Sequence, residues 1–349
     1  MDIKNYGWDE HFAKEWRENS TEGMYPARII ADYGQKLRVM TETGELLISR
    51  PLKKLDESGQ LAVGDWLALE HSPETQAACV RLVLARKTKF SRAAAGIEVK
   101  EQIVAANIDT VFLVQSLNRD FNLKRLERYL IAAWESGALP VVVLTKADGC
   151  ANVAERVADA RVASPGVEVQ AVSCVSGEGI AELRKYFATG KTVALLGSSG
   201  VGKSTLVNTL AGKELLKTQA VRENDSRGRH TTTHRELVLL PAGGLILDTP
   251  GMRSLALWEA DAGMEVMFGD VEELTKQCRF SDCHHGNEPG CAVREALAGG
   301  KLERNRWESW LKLQKERAFL EAKQEGKLRF QEKQWGKQIA KFQRHLGKH

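Results

Sequence analysis

Gly197-Ser-Ser-Gly-Val-Gly-Lys203-Ser204 is the stretch on which the fold of this chain turns. The apolar run Thr192-Val-Ala-Leu-Leu196 precedes it, and Thr205-Leu-Val-Asn-Thr-Leu210 follows, so the segment reads as strand, glycine-rich turn and helix. Gly197 and Gly202 let the backbone wrap an anion without Cβ clashes. Backbone N–H groups of Gly197, Ser198, Ser199, Gly200, Val201, Gly202, Lys203, Ser204 and Thr205, with the helix N-terminus behind them, are then expected to face phosphates. Lys203 would bring a point charge to the β- and γ-oxygens, and Ser204 a hydroxyl to Mg²⁺.

Upstream, Leu139-Pro-Val-Val-Val-Leu-Thr145-Lys146-Ala-Asp148 is an apolar strand running into a base-reading turn. The Asp148 carboxylate can accept from guanine N1–H and N2–H₂ while the Lys146 stem packs on the ring. Adenine lacks that donor pair, so the pattern favours GTP over ATP. Thr145 stands where Asn is usual, and the expected consequence is one lost brace to the phosphate loop. Val169-Gln-Ala-Val-Ser173-Cys-Val-Ser-Gly-Glu-Gly179 matches the loop whose backbone meets guanine O6, with Ser173 at its start.

Downstream, Gly244-Leu-Ile-Leu-Asp248-Thr-Pro-Gly251 ends a strand in Asp-x-x-Gly. Asp248 is expected on the Mg²⁺ side and the Gly251 N–H at the γ-phosphate. Between the motifs lies the polar stretch Asn224–His234. One Thr of 231–233 can complete the Mg²⁺ shell, and Thr232 is the favoured one. Many GTPases place a water-orienting Gln after Asp-x-x-Gly. Met252 stands there instead, so slow intrinsic turnover is expected, with His230 as the candidate to orient water. The base reader precedes the phosphate loop, the reverse of the usual order. A circularly permuted P-loop GTPase of α/β class follows, with a mainly parallel sheet over about Asn107–Leu257 and ligand at the carboxyl ends of its strands.

The 349 residues allow two or three domains, and the boundaries read as 1–90, 91–257 and 258–349. Residues 24–86 hold five short strands between glycine turns, which suits an OB-like barrel that either binds nucleic acid or acts as a spacer. Cys278, Cys283 and Cys291 cluster with His284 and His285. Three thiolates and one imidazole at that spacing point to a closed structural zinc site, with His285 preferred and His284 the alternative. A disulfide framework would leave an odd Cys. No run reaches about 18 uninterrupted apolar residues, and the N-terminus lacks a signal pattern, so a cytoplasmic location without membrane attachment is expected. Residues 300–349 carry fourteen Lys/Arg against six Asp/Glu, which leaves the remainder of a chain of net charge +4 acidic. That basic helical stretch suits phosphate backbones, although a charged helix is more often a solvated face.

With these motifs in hand, the chain resembles the ribosome small subunit-dependent GTPase A family (RsgA, also called YjeQ or YloQ). The resemblance covers nearly the whole length. It rests on Val63-Gly-Asp-Trp66, the permuted order of Thr145-Lys-x-Asp148 and Gly197–Ser204, Gly228-Arg-His-Thr-Thr-Thr233, Asp248-Thr-Pro-Gly251 and Cys278-x4-Cys283-x-His285-x5-Cys291. It implies a GTP hydrolase in late maturation of the small (30S) ribosomal subunit, stimulated by that subunit. The implied equipment is an OB-like β-barrel, the permuted GTPase domain and a zinc-binding helical domain, working with GTP/GDP, Mg²⁺, one zinc and rRNA. A monomer is expected. The alternatives are an RNA-binding assembly factor whose G domain is mainly a switch, and a non-ribosomal GTPase.

Overall fold

The computed structural model describes residues 2–51, 60–72, 77–93, 101–118, 120–215, 235–248, 261–315 and 317–318. Two compact units result, one of Met1–Arg92 with Gln102–Leu257 and one of Ala93–Glu101 with Trp258–His349.

The first unit opens with a 3-10 turn, Ile3–Tyr6, and helix α1, Glu10–Asn19. Asp2 and Asp9 cap them by accepting from the Lys4 and His11 N–H groups. Five strands follow: β1 Met24–Asp32, β2 Lys36–Thr41, β3 Gly44–Ser49, β4 Trp66–His71 and β5 Ala78–Val83. All pair antiparallel, β2 with β1 and β3, β4 with β1 and β5. The sequence run Val63-Gly-Asp-Trp-Leu-Ala-Leu-Glu70 predicts a fourth strand from Val63, but β4 begins at Trp66. Gly64 has a φ of 99°, and a Cβ there would stand 2.0 Å from the Ala106 carbonyl oxygen, so Val63-Gly64 bends instead of extending.

Two buried charges lock this corner. Asp65 accepts from Arg86 Nε at 2.6 Å, from Arg86 Nη2 at 2.8 Å and from the Ala62 N–H at 2.8 Å. Arg28, 1% exposed, donates to the carbonyl oxygens of Tyr6, Gly64 and Asn107. It thereby ties the N-terminal turn, the bend and the entry to the next strands. Burial pulls its pKa down to about 10, because desolvation penalises the charged form.

A short pair, β6 Lys89–Ala93 and β7 Glu101–Ala106, leads onward. Then come β8 Thr110–Ser116, α2 Leu123–Ser136, β9 Leu139–Thr145, α3 Val153–Ala163, β10 Glu168–Ala171, α4 Ile180–Leu183, β11 Thr192–Leu196, α5 Lys203–Ala211, β12 Arg235–Leu239 and β13 Leu245–Asp248. The spatial order is β10-β9-β8-β11-β13-β12, with β12 the antiparallel member. All seven residues of β8 are buried, as a parallel strand covered on both faces requires. Phe112, Val114, Val141, Val143, Val193 and Leu195 pack with Leu206, Val207 and Leu210 of α5. Each large apolar side chain so buried contributes about 1.5–3 kcal/mol. From β8 the chain steps outward through β9 and β10, then returns to place β11 on the other side of β8. The strand order reverses between β8 and β11, and that is where such sheets hold ligands.

One connection is absent from either region's sequence pattern. β12 also pairs with β1, so the N-terminal strands continue the central sheet.

In the second unit, α6, Asp261–Lys276, is kinked at Phe268. Helix α7 spans Ala292–Ala298, and residues 304–315 are helical. The expected basic helices from 319 onward lie outside the described residues. Among the described residues, no helix is long and apolar enough to cross a membrane.

Candidate nucleotide site and metal cluster

Gly197 to Gly202 runs from the end of β11 into α5, at the strand-order reversal. Gly197 lies so close to β8 that a Cβ would stand 2.3 Å from the Val114 carbonyl oxygen. Gly202, φ 96°, precedes the first helical residue, Lys203. Inside the loop, Lys203 Nζ donates to the Gly197 and Ser198 carbonyl oxygens at 2.7 and 2.6 Å. Val201 is buried as the anchor of the loop, whereas Ser199, Gly200 and Thr205 are exposed. Ser204 stands one residue into the helix, half-buried.

The base-reading turn is built against this loop. Lys146 adopts a left-handed φ of 61°, and its Nζ donates to the Gly200 carbonyl oxygen at 2.9 Å. Asp148 is exposed, and its Oδ1 accepts from the Ser173 hydroxyl at 2.6 Å. Ser173 is fully buried, and its Oγ in turn accepts from the Val175 and Ser176 N–H groups at 3.2 and 3.1 Å. A fixed hydroxyl thus orients the Asp148 carboxylate. The phosphate loop, Lys146, Asp148 and Ser173 stand together as the motifs predict.

The expectation for Thr145 needs correction. Its hydroxyl donates to the Val201 carbonyl oxygen at 2.5 Å, so Thr145 braces the phosphate loop rather than leaving it unbraced. The acceptor is a backbone atom that a short branched hydroxyl reaches because β8 holds the two segments side by side. Tyr129 of α2 is a contact the sequence does not single out. It is 5% exposed, its hydroxyl bonds Ser198, and burial raises its pKa. A large amphipathic residue inside an apolar helix face gives no sign of such a role.

Asp248 ends β13, with Glu236 as its register partner. His230, Thr231, Thr232, Thr233, Gly251 and Met252 lie outside the described residues.

In the second unit, Cys278, Cys283, His285 and Cys291 bring their ligand atoms within 4.8 Å of one another. His285 Nδ1 stands 3.5, 3.7 and 3.6 Å from the three sulfurs in turn, and Cys278 Sγ stands 3.9 Å from Cys291 Sγ. Metal–sulfur bonds of about 2.3 Å and metal–nitrogen bonds of about 2.0–2.1 Å at tetrahedral angles require roughly 3.8 Å between sulfurs and roughly 3.6 Å from sulfur to nitrogen. The cage fits that geometry. A left-handed φ of 58° turns His285 inward, while His284 is exposed and its N–H donates to Glu288. Trp307 meets the His285 ring edge-on at 5.3 Å and stacks on Trp310 at 4.9 Å.

A family model described as RsgA GTPase matches residues 83–258. A small ribosomal subunit biogenesis GTPase RsgA 1 from Listeria innocua is 45% identical, covering 99% of this chain and 98% of its own length. The small ribosomal subunit biogenesis GTPase RsgA of Opitutus terrae is 43% identical over 91% of this chain and 90% of that protein. Among solved structures, YjeQ from Thermotoga maritima aligns with TM-score 0.61 and 28% identity, covering 84% of this chain and 99% of that one. YloQ, described as a circularly permuted GTPase, aligns with TM-score 0.58 at 21% identity over 86% of this chain and 98% of its own, a likeness of fold. The permuted order of motifs, the nucleotide geometry and these matches agree, and the chain belongs to the RsgA GTPase family.

Proposed function

We propose that this protein is a GTP hydrolase acting in late maturation of the small ribosomal subunit, in the cytoplasm, and that it is stimulated by that subunit. Family membership and the site agree on the activity. The observation that carries it is the linked pair of contacts from the base-reading turn, Ser173 to Asp148 and Lys146 to Gly200. They join a guanine reader to a phosphate cradle in one rigid site.

Asp148 reads guanine, the Ser173 loop meets its O6, and Gly197–Thr205 hold the phosphates. Ser204, Asp248 and Thr232 would hold Mg²⁺, which would neutralise charge on the phosphate oxygens. Water adds to the γ-phosphorus, the bond to the β–γ bridging oxygen breaks, and GDP and inorganic phosphate result. Lys203 stabilises the spreading charge. We assign water orientation to His230 and the γ-phosphate contact to the Gly251 N–H. The Cys278, Cys283, His285 and Cys291 cage is assigned to one structural zinc. The five-stranded N-terminal part is read as an OB-type barrel on the strength of its β1-β2-β3 and β1-β4-β5 pairings. It and the basic C-terminal stretch would touch rRNA, with the protein acting as a monomer.

Turnover of GTP and of ATP, each with and without purified small subunits, tests the reading. Strong stimulation specific to GTP is expected. Preference for ATP would replace the guanine assignment, and equal turnover with and without subunits would replace the ribosomal one. His230→Ala should abolish stimulated turnover at unchanged subunit affinity.

A further inference from the structure

A cavity of about 280 Å³ lies at the amino ends of β8 and β11, within the first unit. The five residues of β11, about 17 Å of extended chain, separate its Lys191 from Gly197 of the phosphate loop. Four cations line it, Lys4, Arg28, Lys87 and Lys191, against two carboxylates, Asp9 and Asp109. Close backbone contact shapes the wall. A Cβ on Gly190 would stand 2.6 Å from the Lys4 carbonyl oxygen, and one on Gly7 would stand 2.7 Å from Arg28 Nη1.

The lining charges do not cancel. Lys87 pairs with Asp9, and Lys191 with Asp109 at 2.8 Å. Arg28 and Lys4 are left over. Arg28, fully buried, uses three of its five N–H groups on backbone carbonyls. Among the described residues, one N–H on each of its terminal nitrogens has no acceptor. The carboxylates whose charge reaches it, Asp109, Asp65 and Asp9, are each bound by another cation, Lys191, Arg86 and Lys87 in turn. Among the described residues, the exposed Lys4 ammonium has no ion-pair partner. A buried charge is costly unless it is paired, and the cavity is where a counter-ion for Arg28 has room.

We propose that this cavity binds a phosphate monoester, with Arg28 and Lys4 holding its phosphate. Such an ester carries close to two negative charges at neutral pH, which matches the two uncompensated cations. The guanidinium fork suits phosphate oxygens. At about 30 Å³ each, about nine waters would fill the space. That is more than a phosphate group displaces, so an organic remainder the size of a sugar fits beside it. The site shares no residue with the phosphate loop, the base reader or the metal cage. A small phosphorylated metabolite and the 5′-phosphate end of an RNA strand present the same chemistry to it.

The test is titration calorimetry on full-length protein whose nucleotide site is filled with Mg²⁺ and a non-hydrolysable GTP analogue. Ribose 5-phosphate should bind saturably, one per chain. Lys4→Glu should weaken it about tenfold or more, because a charge-assisted contact is lost, and Lys4→Arg should stay within about twofold of wild type. Asp9→Asn keeps the helix cap and frees Lys87, so binding should tighten about threefold. Opposite shifts from two exposed positions separate a ligand contact from a general loss of fold. A 5′-phosphorylated pentaribonucleotide titrated alongside assigns the natural source to whichever probe binds more tightly. Absence of saturable heat from both probes at millimolar concentration overturns the proposal. So does equal affinity in Lys4→Glu and wild type, or a failure of Asp9→Asn to tighten binding.

Discussion

Thr145 Oγ1 donates to the Val201 carbonyl oxygen at 2.5 Å, joining the end of β9 to the middle of the phosphate loop. Thr145→Val keeps the shape and removes the donor. Leaving a buried carbonyl unpaired costs about 1–3 kcal/mol. GTP affinity by titration calorimetry should fall at least fivefold, while Thr145→Ser should stay near wild type. Equal affinities for all three would show that the brace does nothing for binding.

In the proposed reading, base choice depends on Asp148. Hydrogen bonds to a charged group contribute about 1.5–3 kcal/mol, so Asp148→Asn should weaken GTP roughly tenfold or more. Its amide can donate to the 2-oxo group of xanthine, so xanthosine triphosphate should become the preferred nucleotide. Competition between the two triphosphates measures the switch directly. Ser173→Ala should weaken GTP more mildly, because the carboxylate survives but loses its 2.6 Å hydroxyl partner.

Metal removal should separate the two units. Binding energy at a small four-ligand site is largely folding energy. A strong chelator, or Cys283→Ser, should release one zinc per chain and expose amides around residues 278–302 to hydrogen exchange, with GTP affinity retained. The thiolates must be deprotonated to bind, so acidification should release the metal as well. Full zinc content in Cys283→Ser protein would count against the cage as assigned.

Two glycines offer a contrast. Gly64→Ala places a Cβ 2.0 Å from the Ala106 carbonyl oxygen at a φ of 99°. It should cost about 2 kcal/mol or more and lower the thermal midpoint of the first unit by roughly 5 °C. Gly269 lies within α6, and a methyl added there would meet nothing inside 4 Å, so Gly269→Ala should hold or raise the midpoint. Calorimetric scans of both variants decide the matter.

Local arrangement was legible in the sequence. The glycine loop with Lys203, the Asp148 turn and the Cys/His cluster come together as their spacing predicts. The five N-terminal strands were legible too, since alternation and glycine turns mark them; β4 began late only because Gly64 bends. Contacts between distant segments were not. Thr145 reaches a backbone oxygen 56 residues away, and backbone atoms leave no trace in side-chain identity. Tyr129 looks like any core aromatic. The pairing of Ala31 with Glu236 joins strands whose patterns say only that each is a strand.

That last pairing bears on how the chain is made. Synthesis proceeds at about 5–20 residues per second. Asp32 leaves the tunnel some ten to forty seconds before its partner Arg235, by the same rate. Throughout that interval the tail of β1 offers an open edge, the kind that recruits stray strands. Among the described residues, Ala31 and Asp32 await β12, since the earlier part of β1 is taken by β4. The described part of that waiting edge ends in a carboxylate, a charged side chain of the kind that disfavours pairing with a stray strand.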